Sequence, residues 1–343
     1  MEVGLKDGKL VDIKQDTSHS LGMICRRGQH AAEIVYSEHR LRYPMKRVDP
    51  KGTYDFERIT WDQAYDLIVE NLNRIKQESG PEAVAIYTGR GANELSLCDM
   101  FQPKGVVVSS ASNVLFPFGS PNTMGVGALC YVAMAMIAPH VTMGRMQINM
   151  FTAIEDSEMV LVWGTNPAAD SPPVDLYRLE AAAARGADIV VIDPRRTETA
   201  VRTNAQWVPI RPGTDGALAL SMIQVMLDED LHDEEFAENW CHGFEELATY
   251  VQHFRPEVVE TITGVPADTI RDLTHRLCHA SGACPLMYTG FEYSNSGVQA
   301  IRAVLTLFAL AGQLDIPGGI GLLVLNGYVI SGIYILYSRL TGW

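Results

Sequence analysis

Four turns along this chain carry hydroxyl, amide or guanidinium side chains, three of them together with glycine, and each follows an apolar run. Gly164-Thr165-Asn166-Pro167 follows Met159–Trp163, and Asp193-Pro194-Arg195-Arg196-Thr197 follows Asp188–Ile192. Arg211-Pro212-Gly213-Thr214-Asp215 follows Ile210, and the stretch from Thr289-Gly290 to Ser296-Gly297 follows Tyr288. Glycine lets a ligand or a second backbone approach closely. The last two turns lead into helix N-termini, which attract phosphate. Any one of them is ordinary turn and cap chemistry. Four in this order point to a large, phosphate-bearing, hydrogen-bonding ligand spread across the edge of a sheet. A further turn, Gly89-Arg90-Gly91-Ala92-Asn93-Glu94, begins like G-x-G-x-x-G but puts Glu94 at the third glycine. That counts against a dinucleotide fingerprint and a nicotinamide-dependent dehydrogenase, for which tight NADH binding would be the test.

Six cysteines, Cys25, Cys98, Cys130, Cys241, Cys278 and Cys284, contain no C-x-x-C pair. They are too few and too scattered for a disulfide scaffold, and taken singly they read as packed thiols. His140, Asp156 and Asp170 could move protons near a pocket. Nothing local separates these three from surface or capping residues.

The elements that must position these groups follow from periodicity. Val3–Leu5 and Leu10–Ile13 flank Asp7-Gly8, a hairpin signal. Glu33–Tyr36 is a short further element. Thr60 and Gln63 form a capping box ahead of the apolar stripe Ala64, Leu67, Ile68, Leu72 and Ile75, and Gly80-Pro81 ends that helix. Ala83–Tyr87, Met159–Trp163, Asp188–Ile192 and Pro285–Thr289 read as buried strands. Helices are expected over Pro173–Arg185, from a cap at Asp215, near Asp233–Cys241 and Glu245–His253, and over Pro266–His279 and Gly297–Gln313. Met159–Ile192 is then a βαβ unit, so the fold class is α/β with parallel-sheet βαβ domains. A small, mostly polar N-terminal domain precedes them.

The bulk composition is globular, and a net charge of −14 argues against a nucleic-acid partner. Met1–Lys6 has neither a basic nor an apolar leader region. The compartment, cytoplasm or periplasm, stays open. Ile316–Ser338 carries no charge, but six glycines and asparagines interrupt it. It reads as a buried strand-turn-strand or an apolar tail rather than a membrane span.

Taken together, Trp163–Pro167, Ile192–Ala200 and Pro212–Asp215 resemble the cofactor-binding signature of the dimethyl-sulfoxide-reductase superfamily. These enzymes bind two molybdopterin guanine dinucleotides around one molybdenum or tungsten. The resemblance reaches upstream through Cys25–Gly28, Tyr36–Val48 and Ile59–Ala64, and downstream through Gly312–Gly319. It implies that Gly164, Asn166, Asp193, Arg195, Gly213, Asp215, Gly290 and Gly297 contact the pterin or guanosine ends. Asp193 or Asp215 would accept from guanine or ribose, and Arg195 would pair with pyrophosphate.

By the same resemblance Ser120–Tyr131 is the cysteine-type ligand loop, with Cys130 as the catalytic metal ligand and Cys98 as its rival. Cys25 would be the fourth ligand of a 4Fe-4S cluster in the full-length parent, and Arg27 the cation between cluster and pterin. The C-x2-C-x3-C that completes such a cluster is not in this sequence, so the chain reads as an internal fragment truncated at both ends. The implied organisation is an iron–sulfur-type remnant over 1–58, a pterin-binding part with the ligand loop over 59–158, a Rossmann-like dinucleotide domain over 159–320, and an apolar tail over 321–343. The implied partners are a small-molecule substrate and an electron-transfer iron–sulfur subunit, with membrane contact only through a partner. The implied activity is oxygen-atom or electron-pair transfer. A non-redox hydratase or hydroxyl-transfer enzyme of the same superfamily, of the acetylene-hydratase kind, stays open, as does an inactive binding module.

Overall fold

The structure is a computed structural model that describes residues 2–16, 18, 24, 26–88, 115–125, 132–144, 150–169 and 174–322. They fall into two compact units: one within Glu2–Lys14 and Arg27–Ala128, the other mainly within Leu129–Trp343.

In the first unit β1 (Glu2–Lys6) and β2 (Lys9–Lys14) form the expected antiparallel hairpin. Asp7 (φ 51°) and Gly8 (φ 73°) both sit in the left-handed region that a tight two-residue turn requires. A short helix, Ala31–Tyr36, takes the place of the undefined element at Glu33–Tyr36. Strands β3 (Met45–Arg47) and β4 (Phe56–Arg58) pair antiparallel. The helix Trp61–Ser79 opens on both bonds of the capping box: Gln63 N–H donates to Thr60 Oγ1 at 3.2 Å, and Thr60 N–H to Gln63 Oε1 at 2.8 Å. Where a strand over Ala83–Tyr87 is expected, a 3-10 turn holds Pro81–Ala83, because Gly80 (φ 80°) and Pro81 reverse the chain. The strand β5 therefore starts later, at Ile86–Thr88, and pairs parallel with β6 (Thr123–Gly125).

The second unit contains a four-stranded parallel sheet. The strands β8 (Met159–Trp163), β9 (Asp188–Ile192), β10 (Gln206–Val208) and β11 (Ala283–Met287) lie in the order β10-β9-β8-β11. Beside it β7 (Met150–Thr152) pairs antiparallel with β12 (Ile320–Leu322). Both faces of the parallel sheet are covered, as the unbroken apolar runs require. Met159, Leu161, Trp163, Val190 and Ile192 face the helices Asp215–Asp228, Ala267–His279 and Gly297–Leu310. The alternate residues Val160, Val162, Ile189 and Val191 face Val174–Ala184 and Glu198–Arg202. Ile301, Val304, Leu305, Phe308 and Leu310 are all buried, as their spacing predicts.

Three expectations shift. β11 begins and ends two residues early because its register with β8 sets Ala283 opposite Met159 and Met287 opposite Trp163. The strand β10, absent from the expected strands, forms in the apolar run before Ile210 and ends at Val208. Asp215 does not cap its helix: Thr214 holds the cap position, and the Asp215 side chain turns inward to Trp163. No helix among the described residues is long and apolar enough to cross a membrane, and residues 323–343 lie outside the description.

Candidate functional site

The strand order fixes where a ligand can enter. The chain runs from β8 outward through β9 to β10, then returns to the other side of β8 as β11. The order reverses between β8 and β11, so the loops leaving their carboxyl ends diverge and leave a crevice. A cavity of about 460 Å³ lies there. It is lined by Gly164–Pro167 after β8, by Asp193 after β9, by Leu286–Thr289 at the end of β11, and by Asp175.

Its walls are braced from behind. Gly164 (φ 65°) accepts through its carbonyl the N–H of Gly290 at 2.8 Å. A Cβ on Gly290 would stand 2.6 Å from Gly164 Cα, and one on Gly297 would stand 2.4 Å from the Phe291 carbonyl oxygen. These glycines let the two cavity loops and the following helix pack backbone to backbone. Asn166 is consumed in the same way. Its Oδ1 accepts from Thr199 Oγ1 at 2.7 Å and from Thr199 N–H at 3.2 Å, while its Nδ2 donates to Glu198 at 2.7 Å. The β8 loop is thus pinned to the helix Glu198–Arg202.

Three carboxylates are held at or near the crevice. Asp193 Oδ1 accepts the N–H of Arg195 at 2.9 Å, closing the turn after β9. Burial raises its pKa, against the pull of that N–H and of the Arg195 charge. Asp215 is buried, accepts the indole N–H of Trp163 at 2.9 Å, and is pushed up by burial more than that bond lowers it. Asp175 is likewise raised by burial, opposed by Arg178, which donates to it at 3.2 Å. Arg178 is itself anchored by Glu155 at 2.6 and 2.7 Å and by the Thr152 carbonyl at 2.7 Å. Arg195 is exposed, with Glu198 at 3.5 Å.

This arrangement presents carboxylate acceptors in a crevice at the edge of a parallel sheet. Residues 40–336 match the protein family described as Molybdopterin oxidoreductase. The chain belongs to the molybdopterin oxidoreductase family. It is similar to "Probable dimethyl sulfoxide reductase chain YnfF" of Escherichia coli, 32% identical over 86% of this chain and 38% of that protein. It is also similar to "Thiosulfate reductase molybdopterin-containing subunit PhsA" of Salmonella typhimurium, 32% identical over 87% of this chain and 37% of that one. The acetylene hydratase of Syntrophotalea acetylenica is 35% identical over 84% of this chain and 38% of its own. Among solved structures, acetylene hydratase from Pelobacter acetylenicus superposes with a TM-score of 0.69 at 32% identity, covering 94% of this chain and 42% of that one. The chain thus spans about two fifths of the length of the curated relatives it matches.

Against the residues expected for a molybdopterin oxidoreductase, the structure brings Gly164, Asn166 and Asp193 to one cavity. Gly290 meets Gly164, and Gly297 stands behind it against Phe291. Asp215 joins through Trp163, with Gly213 (φ 79°) two residues before it. Arg27 is exposed, on the short helix Arg26–Gln29, and belongs to the other unit. Cys25, Cys98, Cys130 and Asp170 lie outside the described residues. His140 and Asp156 are exposed and do not line the cavity. The sequence reading missed Asp175 as a cavity residue. Its only signal was an acid in the first turn of a helix between two glycine-bearing turns, which usually means a favourable helix dipole.

The crevice suits the hydrogen-bond donors that a molybdopterin cofactor carries. Acceptors line the crevice, and an arginine stands one turn away at Arg195, where a phosphate could be met outside it.

Proposed function

We propose that this chain holds a bis(molybdopterin guanine dinucleotide) centre with molybdenum or tungsten. The enzyme it belongs to would transfer an oxygen atom or an electron pair to or from a small molecule. The observation that carries this is the braced, carboxylate-lined cavity at the switch point between β8 and β11 in a member of this family. When bound, the pterin–metal group supplies the redox chemistry. The chain's own residues bind and orient it. Asp193 offers an acceptor to ribose or base, Arg195 a guanidinium to pyrophosphate, and Gly213 an open backbone. Asn166, Gly164, Gly290 and Gly297 keep the two loops in register. Asp215 holds the Trp163 side chain in place.

In this reading Cys130 supplies the thiolate that completes the metal's coordination. The π-helical turn Val132–Ile137 starts two residues later, and its Met134 N–H donates to Glu292 Oε1 of the β11 loop at 3.2 Å. That bond ties the segment after Cys130 to the cavity loops. Residues 1–58 are proposed as part of an iron–sulfur-type domain, with Cys25 as a 4Fe-4S ligand and Arg27 as the cation beside it. An electron-transfer iron–sulfur subunit is the proposed partner.

A second reading has its own support, because an acetylene hydratase stands among the relatives at 35% identity. There the same centre would hydrate a substrate without net electron transfer.

Metal and pterin analysis tests the assignment. The purified chain, expressed where the cofactor is made, is expected to carry molybdenum or tungsten with pterin, and to release guanine nucleotide on acid treatment. A folded chain that carries none of these refutes it. Oxidation of a reduced dye by dimethyl sulfoxide or thiosulfate would favour the redox reading, and alkyne hydration without a reductant the other.

A further inference from the structure

We infer that Glu292 is a positioning residue: it caps the π-helical turn Val132–Ile137 and thereby sets the segment that follows Cys130 against the loop leaving β11. This rests on the proposed reading that Cys130 holds the metal.

The need for a cap comes from the helix itself. The turn Val132–Ile137 runs directly into the α-helix Ala138–Met143, with Pro139 at its start. Proline has no N–H, and its ring crowds the carbonyl four residues back, here that of Ala135, so the turn before it widens. A helix also leaves the N–H groups of its first turn without partners inside it. Met134 stands in that first turn and is 1% exposed, so water does not serve its N–H. Glu292, 158 residues away, supplies the acceptor at 3.2 Å, and it too is buried.

The acceptor is presented from a rigid platform, as a positioning group must be. Glu292 ends the short helix Thr289–Glu292, and Thr289, at the other end, lines the cavity. Gly290 N–H donates to the Gly164 carbonyl at 2.8 Å, and the Phe291 ring lies 5.5 Å from that of Trp163. A Cβ on Gly297 would stand 3.0 Å from the Glu292 carbonyl oxygen, so the following helix closes on the Glu292 backbone. Met134 and Ala138 share one apolar core with Phe291, Ala300 and Val304. Packing alone would be served better there by a side chain without polar atoms, because a buried carboxyl costs free energy unless it is bonded. Its bond to Met134 is what a carboxyl adds at this place.

Hydrogen exchange of the full chain and electron paramagnetic resonance of the metal-loaded, partly reduced protein test this together. Glu292→Met fills a similar volume without an acceptor. Glu292→Asp keeps the carboxyl but draws it back along the side chain, and Glu292→Gln keeps an acceptor at full reach. The Met134 amide should exchange roughly tenfold faster or more in Glu292→Met and Glu292→Asp. It should stay within about threefold of wild type in Glu292→Gln. The resonance of the pentavalent metal, which reports how its thiolate is held, should shift in the first two variants and stay near wild type in the third. Unchanged exchange at Ile301–Leu305 is the folding control, and if Glu292→Met fails it, Glu292→Asp against Glu292→Gln decides alone. An unchanged Met134 amide in Glu292→Asp, or full loss of its protection in Glu292→Gln, overturns the cap. Faster exchange with an unmoved resonance overturns the positioning role, because Glu292 would then be structural only. A wild-type chain that takes up no metal overturns the proposed function, and with it the metal half of this inference, whereas the exchange comparison still decides the cap.

Discussion

Trp163, the last residue of β8, donates its indole N–H to the Asp215 carboxylate at 2.9 Å, and both residues are buried. The bond satisfies one oxygen, but burial still raises the Asp215 pKa above its ordinary 3.8. The folded chain therefore binds this proton more readily than the unfolded chain. Its contribution to stability is greatest at low pH and is lost as pH rises from about 3.8 through the raised folded value. Asp215→Asn keeps an acceptor for Trp163 and removes the titration. Urea midpoints across that window should fall with rising pH more steeply in the wild type than in the variant. Parallel curves would show that Asp215 is not the group responsible.

The Gly164–Gly290 contact predicts a steric penalty rather than an electrostatic one. Gly290→Ala places a methyl group 2.6 Å from Gly164 Cα, and backbone cannot yield as a flexible side chain does. The expected cost is about 1–3 kcal/mol in unfolding free energy, the range for overpacking a tight site. Gly213→Ala meets nothing nearer than Ser294 Cβ at 3.9 Å, so only its positive φ of 79° opposes it. Its cost should be roughly 1 kcal/mol. Urea unfolding of the two variants decides this, and equal costs would remove the distinction.

The sheet was legible because its signal is local. Met159–Trp163 and Asp188–Ile192 are apolar runs bounded by turns, and both strands stand at those bounds. The apolar pattern places a strand at Pro285–Thr289, whereas pairing with β8 sets the register two residues earlier, at Ala283–Met287. The site was half legible. Glycine and asparagine announced the turns, but a sequence cannot say whether a glycine makes room for a ligand or for another backbone. Gly290 and Gly297 are explained by their protein neighbours alone. Asp175 was invisible because its place at the cavity depends on how the Val174–Ala184 helix packs, a contact distant in sequence.

Burial also makes a prediction for the thiols. Desolvation pushes Cys278 up to about 12 and Cys284 up to about 11. At pH 8 fewer than about one in several hundred of either would be thiolate, the reactive form. Mass spectrometry after brief iodoacetamide treatment should find both unmodified in the native chain and both modified in urea. Rapid native labelling of Cys284 would contradict its placement against Ser157, 3.2 Å away in the core.

Asn166 offers the sharpest test of what the β8 loop is for. A side chain that reads a ligand directly leaves polar atoms toward the cavity, whereas Asn166 spends Oδ1 on Thr199 and Nδ2 on Glu198. Removing it should therefore register in the free chain. Asn166→Ala is expected to cost about 1–2 kcal/mol, because it strips partners from the buried Thr199 hydroxyl and the Thr199 N–H. Thr199→Val removes the other half of the pair, although the hydroxyl also accepts from Ala168 N–H at 3.0 Å. The double variant should then lose less than the sum of the singles, with a coupling of roughly 0.5–1.5 kcal/mol. Hydrogen exchange at the amides of residues 164–169 should quicken in both single variants. Additive costs with unchanged exchange would free Asn166 from this structural role and return it to the ligand.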